Sequence, residues 1–215
     1  MCWNAEVSLN TFLFSAFALG LIIYNNAYTK YKIPWLNNVW MYVFIMSVIS
    51  MQLVEFFIWR NIDNAYYNHL FSVIAVIVLL IQPAASLMLI TNIPLRNTMV
   101  FIYLLGAIPF TLYTFPTTSH IRTAVGKGGH LQWKFLSTGP ISWVFWLFFF
   151  LFSFVYEGIW LLFSFATIML LIVYINYIHL QTVGSMWCWA VNSFLLGCMA
   201  YLLIVLPFYE KAGLC

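Results

Sequence analysis

Long apolar runs, joined by short polar segments, account for most of this 215-residue chain. A helix that crosses a bilayer needs about 20 mostly apolar residues, and each run is close to that length. A soluble domain carries about 25% charged residues, whereas this chain carries 6% and is 65% hydrophobic. The sequence therefore predicts an all-α integral membrane bundle of seven transmembrane helices, with residues 1–215 forming a single domain. The predicted spans are residues 8–24, 39–59, 70–90, 98–115, 140–156, 159–179 and 185–208. A bundle of six spans is the alternative if the fourth or fifth run is re-entrant.

The longest polar segment, residues 116–138, separates the fourth and fifth spans. Its two halves alternate weakly between apolar and polar residues, around a centre that reads Gly126-Lys127-Gly128-Gly129. Alternation on both sides of a glycine-rich turn is typical of a β-hairpin. The segment is therefore predicted to form a hairpin, either as a lid over one end of the bundle or as a solvated loop.

The distribution of lysine and arginine predicts an orientation in the membrane. With seven spans, one side carries four cations, whereas the short loops of the other side carry only Arg60. The four are Lys30, Lys32, Arg96 and Lys211. Three further cations lie in the long segment 116–138, which we discount because positive charges set orientation mainly from short loops. The N-terminus is therefore predicted outside and the C-terminus in the cytoplasm.

The same charges bear on the partners of the chain. The lipid bilayer is the predicted partner, and a homo-oligomer is compatible with the sequence. The net charge of +3 is small and scattered, so no nucleic-acid binding is predicted.

Glu55 is the only acidic residue that lies well inside an apolar run. It shares a helical face with Gln52 and Trp59, because the three are spaced i, i+3 and i+7. An ionisable group at membrane depth is costly and is usually buried against partners or water. Glu55 is therefore the expected centre of a polar site, with pairing to Arg60 at the end of the helix as the alternative.

Other polar residues fall on the same side of the predicted topology as Glu55. Asn176 and His179 are three residues apart near the end of span six, and Cys188 and Asn192 are four apart near the start of span seven. Each pair shares a helical face. We expect a water-accessible cavity on the N-terminal side of the bundle, open to a small ligand or an ion. Its predicted lining residues are Gln52, Glu55, Gln82, Asn176, His179, Cys188 and Asn192.

Parts of this prediction have structural alternatives. Gln82 and Asn192 are also typical of hydrogen bonds that hold membrane helices together. Pro83 is expected to kink its helix and to free a carbonyl that needs another donor. Tryptophans near the ends of spans are typical of an aromatic belt at the membrane interface. Those residues are Trp3, Trp59, Trp133, Trp187 and Trp189.

The chain offers little support for a cofactor, and none is predicted. No lysine lies inside a predicted span, so retinal has no attachment point. The patterns HExxH and GxSxG of metal and serine hydrolases are absent. A zinc site would draw on His69, His179, Glu55 and Cys188, but no pair of these has a recognised metal-ligand spacing.

Three functional classes therefore stay open. The first is a small channel, transporter or ligand-binding membrane protein, with Glu55 as the charged element of its site. The second is a membrane-embedded enzyme, such as a metal-dependent hydrolase, that uses Glu55, His179 and Cys188. The third is a structural or host-interaction membrane protein without catalysis.

Several short motifs carry a resemblance to a known family. They are the opening Met1-Cys2-Trp3-Asn4, the segment 51–59, the pair Gln82-Pro83 and the segment 184–189. With these motifs the chain resembles uncharacterised small multi-pass membrane proteins that begin Met-Cys-Trp, as found in giant DNA viruses. The resemblance implies an integral membrane protein and transfers no catalytic residue.

Overall fold

Seven helices longer than two turns and one β-hairpin make up the described part of the fold. The computed structural model describes residues 4–117, 121–134 and 140–211, and it leaves the side chains of residues 113–117 and 140 undescribed. The opening Met1-Cys2-Trp3 and the outer parts of the predicted hairpin segment, 118–120 and 135–138, lie outside the described residues. The elements are α1 Ala5–Tyr28, α2 Val39–Arg60, α3 Ala65–Leu87, α4 Ile93–Thr117, β1 Thr123–Val125, β2 Leu131–Trp133, α5 Pro140–Tyr156, α6 Trp160–Tyr177 and α7 Val183–Ala200. A π-helical turn, Tyr201–Val205, and the short helix α8, Leu206–Lys211, continue α7.

Six of the helices are long and apolar enough to cross a membrane. The seventh, α5, is apolar throughout but only 17 residues long, which corresponds to about 25 Å of helix against a hydrocarbon core of about 30 Å. The prediction of an all-α fold of several membrane-spanning helices is therefore confirmed. The count of seven spans stays a prediction, because six of the described helices are long enough and α5 is shorter. The orientation of the termini stays a prediction.

Asparagine side chains mark where the first three helices begin. The side chain of Asn4 accepts a hydrogen bond from the backbone N–H of Val7 at 2.8 Å, and Asn38 accepts one from Trp40 at 2.8 Å. Asn64 accepts from the backbone N–H groups of two residues of the first turn of α3. Asparagine is among the best N-cap residues because its side chain replaces the missing helical acceptor. The short polar connections between the apolar runs thus also fix the helix starts.

Helices α2, α3 and α7 form the centre of the bundle. Helix α2 packs against α1 and α3, its neighbours in sequence, and also against α7. Helix α7 packs against α1 and α6 as well, and α5 packs against α3 and α6. Helix α4 packs chiefly against α3, so it forms one edge of the bundle.

Pro83 lies inside α3 and frees a carbonyl of that helix for a bond from α5. Proline has no N–H, so the carbonyl four residues earlier, that of Leu79, loses its helical donor. The indole N–H of Trp146 on α5 donates to this carbonyl at 2.7 Å. The hydroxyl of Tyr103 on α4 donates to the next carbonyl, that of Leu80, at 2.6 Å. The freed carbonyl expected from the sequence is therefore bonded by a neighbouring helix.

Candidate functional site

The β-hairpin closes one end of the bundle. Its strands pair antiparallel, with Thr123 opposite Trp133 and Val125 opposite Leu131. The backbone N–H of Gly126 donates to the carbonyl of His130 at 2.8 Å, which closes the turn. Gly129 has a φ of +73°, a left-handed conformation that glycine adopts without steric cost. The glycine-rich centre of the segment is therefore the turn between the two strands.

Helix α3 holds the first strand through two polar side chains. Asn68 donates to the carbonyl of Thr123 at 2.9 Å and accepts from the N–H of the same residue at 3.0 Å. A side-chain amide thus bonds both backbone groups of one strand residue, as a third strand would. The hydroxyl of Ser72, one turn further along α3, lies 3.0 Å from the hydroxyl of Thr123. His69 contributes a further bond, with Nδ1 3.0 Å from the carbonyl of Ile121.

Helix α7 holds the second strand, and apolar side chains of the hairpin enter the bundle. Ser185 donates to the carbonyl of Leu131 at 2.9 Å. Ile121, Leu131 and Trp133 are buried in one cluster with side chains of α2, α3 and α7. Of the two alternatives for this segment, the structure shows the lid, because both strands are bonded to helices and their inner side chains are buried.

Glu55 lies beneath this lid and is completely buried. Its Oε2 accepts a hydrogen bond from the side-chain amide of Gln52 at 3.0 Å. Cys188 on α7 is buried in the same cluster as Val54 and Ile58, the neighbours of Glu55 on α2. Arg60, by contrast, is exposed. The alternative in which Glu55 reaches out to the interface beside Arg60 therefore does not describe the folded chain.

Gln82 and Asn192 are buried but form different bonds. Gln82 donates to the carbonyl of Ser47 at 3.4 Å, so it joins α3 to α2. Asn192 donates to the carbonyl of Cys188 on its own helix at 2.7 Å. Among the described residues, the side-chain oxygens of Gln52 and Asn192 are buried and accept no hydrogen bond. The interhelical role considered for Gln82 is therefore present, whereas Asn192 bonds within α7.

The structure does not bring Asn176 and His179 to this group, because both are exposed. Helix α6 lies at the periphery, and the amide of Asn176 is satisfied by the carbonyl of Ile172 on the same helix at 2.7 Å. The helix ends at Tyr177, and His179 lies in a 3-10 turn. The spacing of 3.6 residues, on which the prediction depended, no longer applies there. These two residues therefore stand apart from the buried group around Glu55.

A cavity of about 240 Å³ lies between α3, α4, α5, α7 and the hairpin. It differs from the predicted polar cavity, because its lining is mostly aromatic and aliphatic and Cys188 is its only member from the predicted set. Cys188 also belongs to the buried cluster that contains Val54 and Ile58 of α2, so the cavity wall adjoins the helix that carries Glu55. The described lining residues are Val76, Leu79, Leu80, Tyr103, Gly106, Ala107, Phe110, Trp133, Ile141, Ser142, Trp143, Phe145, Trp146, Gly184, Trp187 and Cys188.

Sequence reasoning missed two parts of this region. The sequence predicts an interfacial belt for Trp133 and Trp187, but both are buried at the cavity. Asn68 and Ser72 carried a usable signal, since two polar residues spaced i, i+4 at the start of an apolar run share one helical face. That signal would have placed a polar contact on α3 without identifying its partner.

His130 is the buried titratable group of the hairpin. Its ring packs edge-on against Tyr177 with 5.5 Å between ring centroids. Burial lowers the pKa of the His130 imidazole below its ordinary value, because a buried site disfavours the charged form. The docked hairpin thus favours neutral His130.

The fold and the site define a multi-pass helical membrane protein with an apolar cavity under a hairpin lid. Comparison with protein-family models, curated proteins and solved structures gave no match. The resemblance to the Met-Cys-Trp proteins therefore stays a prediction. Among residues 4–117, 121–134 and 140–211, no three His, Cys, Asp or Glu side chains lie close enough together to hold a metal ion.

Proposed function

We propose that this protein binds a small, largely apolar ligand in the cavity beneath the hairpin. The observation that carries the proposal is the cavity of about 240 Å³ with its aromatic lining. Ligand sites are concave and mostly apolar, with a few polar groups that fix orientation. Ser142 and Cys188 are the small polar residues of the described lining.

The position of α4 supports entry of a ligand from the bilayer. This helix forms one wall of the cavity but packs chiefly against α3. It contacts α5 through Tyr103, whose ring packs on Phe145 and Phe149, and through Gly106, where an added Cβ would clash with the ring of Phe145. The proposed entry path for a lipid-soluble molecule is the α4–α5 boundary, because α4 lies at the edge of the bundle and its path avoids the packed centre.

Ligand binding fits the described structure better than conduction or catalysis. A channel needs a water path past Glu55, but Met51, Gln52 and Ile58 on the same helix are completely buried. An enzyme that used Cys188 with His179 would need these groups in contact. Cys188 is buried and His179 is exposed, so that pair is not assembled.

A heavy-atom quenching experiment tests the proposal. Bromobenzene, added to the purified protein in nanodiscs, should quench tryptophan fluorescence saturably, because four tryptophans line the cavity. Simple partition into lipid would instead give quenching that rises without saturation. Ala107→Phe and Ser142→Phe fill the cavity from two different helices and should each abolish the saturable part.

Ala27→Phe is the matched control, because Ala27 is exposed on α1, which contributes no described lining residue. This variant should quench like the unmodified protein. Saturable quenching that survives both cavity-filling changes in folded, monodisperse protein would exclude the cavity as the binding site.

A further inference from the structure

We propose that the ligand of this cavity carries a quaternary ammonium group, held against tryptophan faces. The inference rests on the proposed function and specifies its ligand class. Four tryptophans line the cavity, namely Trp133, Trp143, Trp146 and Trp187. A cation over an aromatic face is attracted by the ring quadrupole, most strongly by tryptophan, and quaternary ammonium groups are recognised in this way.

The orientation of the rings suits such a group. Trp146 and Trp187 pack edge-to-face, with ring centroids 5.7 Å apart and an interplanar angle of 84°, and Trp146 stacks with one face on Phe150, so the two indoles meet the cavity in planes nearly at right angles. Their indole N–H groups donate to the carbonyls of Leu79 and Ala166, at 2.7 and 3.2 Å. These bonds fix both rings and leave carbon surfaces for the cavity. Positioned aromatic faces at an angle are the geometry of an aromatic cage.

The charges around the cavity favour a cation over an anion. The described lining contains no lysine, arginine or histidine. Lys134, which follows Trp133, is exposed. A positive ligand therefore meets aromatic faces rather than a positive wall.

The scarcity of acceptors selects a quaternary ammonium over a primary one. A primary ammonium carries three N–H donors that need acceptors when it is buried. Among the described lining side chains, the oxygen acceptors are the hydroxyls of Ser142 and Tyr103, which are too few for three N–H donors. A trimethylammonium group has no N–H to satisfy. Free choline and the choline headgroup of a lipid both present this chemistry.

The test compares choline with 3,3-dimethylbutan-1-ol, its neutral carbon isostere, in nanodiscs of phosphatidylethanolamine and phosphatidylglycerol. Radiolabelled choline should bind the protein and not the Ala107→Phe variant. The isostere should compete at least tenfold more weakly than unlabelled choline. In phosphatidylcholine nanodiscs, choline binding is unchanged if free choline is the ligand and is reduced if the lipid headgroup occupies the site. Either result supports a ligand with a quaternary ammonium group.

Failure of this inference can be told apart from failure of the proposed function. If bromobenzene quenches saturably but choline binds no better than its isostere, the cavity binds ligands and the cationic class is wrong. If neither bromobenzene nor choline binds, both proposals fall together.

Fluorinated tryptophan gives a second measurement that does not depend on a disruptive substitution. Progressive fluorination weakens the ring quadrupole while it nearly preserves the shape of the side chain. In protein made with trifluorinated tryptophan, choline affinity should fall at least tenfold, whereas affinity for the neutral isostere should stay within twofold. Equal changes for the two compounds would overturn the cation–aromatic contact.

Discussion

Asn68→Leu isolates the bonds that hold the hairpin to α3. Leucine has nearly the shape of asparagine but no hydrogen-bonding group. In the native chain, the Asn68 amide donates to the carbonyls of Ile62 at 3.0 Å and Thr123 at 2.9 Å, and it accepts from the N–H of Thr123. After the change, the Thr123 N–H still has the hydroxyl of Ser72 at 3.1 Å. The two carbonyls lose this donor.

The loss of the bond to Thr123 falls on the docked state alone, because an undocked hairpin exposes that carbonyl to water. The bond to Ile62 lies outside the hairpin, so its loss affects both states. A buried polar group without a partner costs about 1–3 kcal/mol, and the carbonyl of Thr123 is bonded in a fully buried contact. We therefore expect docking to weaken by about 1–3 kcal/mol. This corresponds to a roughly 5- to 140-fold larger undocked population, since each 1.4 kcal/mol is tenfold.

Trypsin cleavage after Arg122 reports this population. Arg122 is exposed, but the bond that trypsin would cut contains the Thr123 N–H, which is bonded to Asn68 and Ser72. Cleavage therefore requires undocking, and its rate follows the open population when opening and closing are fast. The matched control is Asn176→Leu, which removes an exposed amide bonded only within α6. Equal cleavage rates for Asn68→Leu and Asn176→Leu would refute the proposed anchoring.

Three further predictions concern single groups. For His130, the lowered folded pKa means that docking is fully stable above the ordinary imidazole pKa of about 6.5 and weakens as the pH falls from there towards the folded pKa. The protection factors of the hairpin amides, which correct for the pH dependence of intrinsic exchange, should therefore fall on acidification. His130→Phe should remove this fall, whereas His179→Gln should not. Trp146→Phe leaves the carbonyl of Leu79 without its donor and should cost about 1–3 kcal/mol in unfolding free energy. Adding Pro83→Ala restores a backbone N–H and should recover most of this loss. No recovery in the double variant would contradict the conclusion that Pro83 frees the Leu79 carbonyl. Glu55→Leu removes the acceptor of the Gln52 amide and should lower the unfolding free energy by about 1–3 kcal/mol. Glu55→Gln retains an acceptor and should lower it less. Equal thermal shifts for the two variants would contradict the hydrogen bond between Gln52 and Glu55.

The fold class and the need of α3 for an outside donor could be predicted from the sequence. Apolar runs of span length determine the fold class, because few other folds can bury so much apolar surface. The second follows from Pro83, since a missing N–H has a defined consequence for the carbonyl four residues earlier. The fold class follows from the length of the apolar runs and the freed carbonyl from the chemistry of proline, and neither depends on tertiary packing.

The direction in which each helical face points could not be predicted. A membrane helix is apolar on all sides, so its polar residues show which of them share a face but not whether that face meets the core. Asn176 and Asn192 had similar settings in the sequence, yet the first is exposed and the second buried. Tryptophan raised the same problem, because Trp187 in a cavity wall and a tryptophan in an interfacial belt have the same sequence context near the end of a span.

The two sets of hairpin anchors have a consequence for the order in which the chain assembles. The residues that bind β1, Asn68 and Ser72, are synthesised before the strand itself, whereas Ser185, which binds β2, is synthesised after it. The first strand can therefore dock on α3 before α7 is synthesised. The second strand needs α7, so a chain that stops before this helix holds the hairpin by one strand and lacks one wall of the cavity.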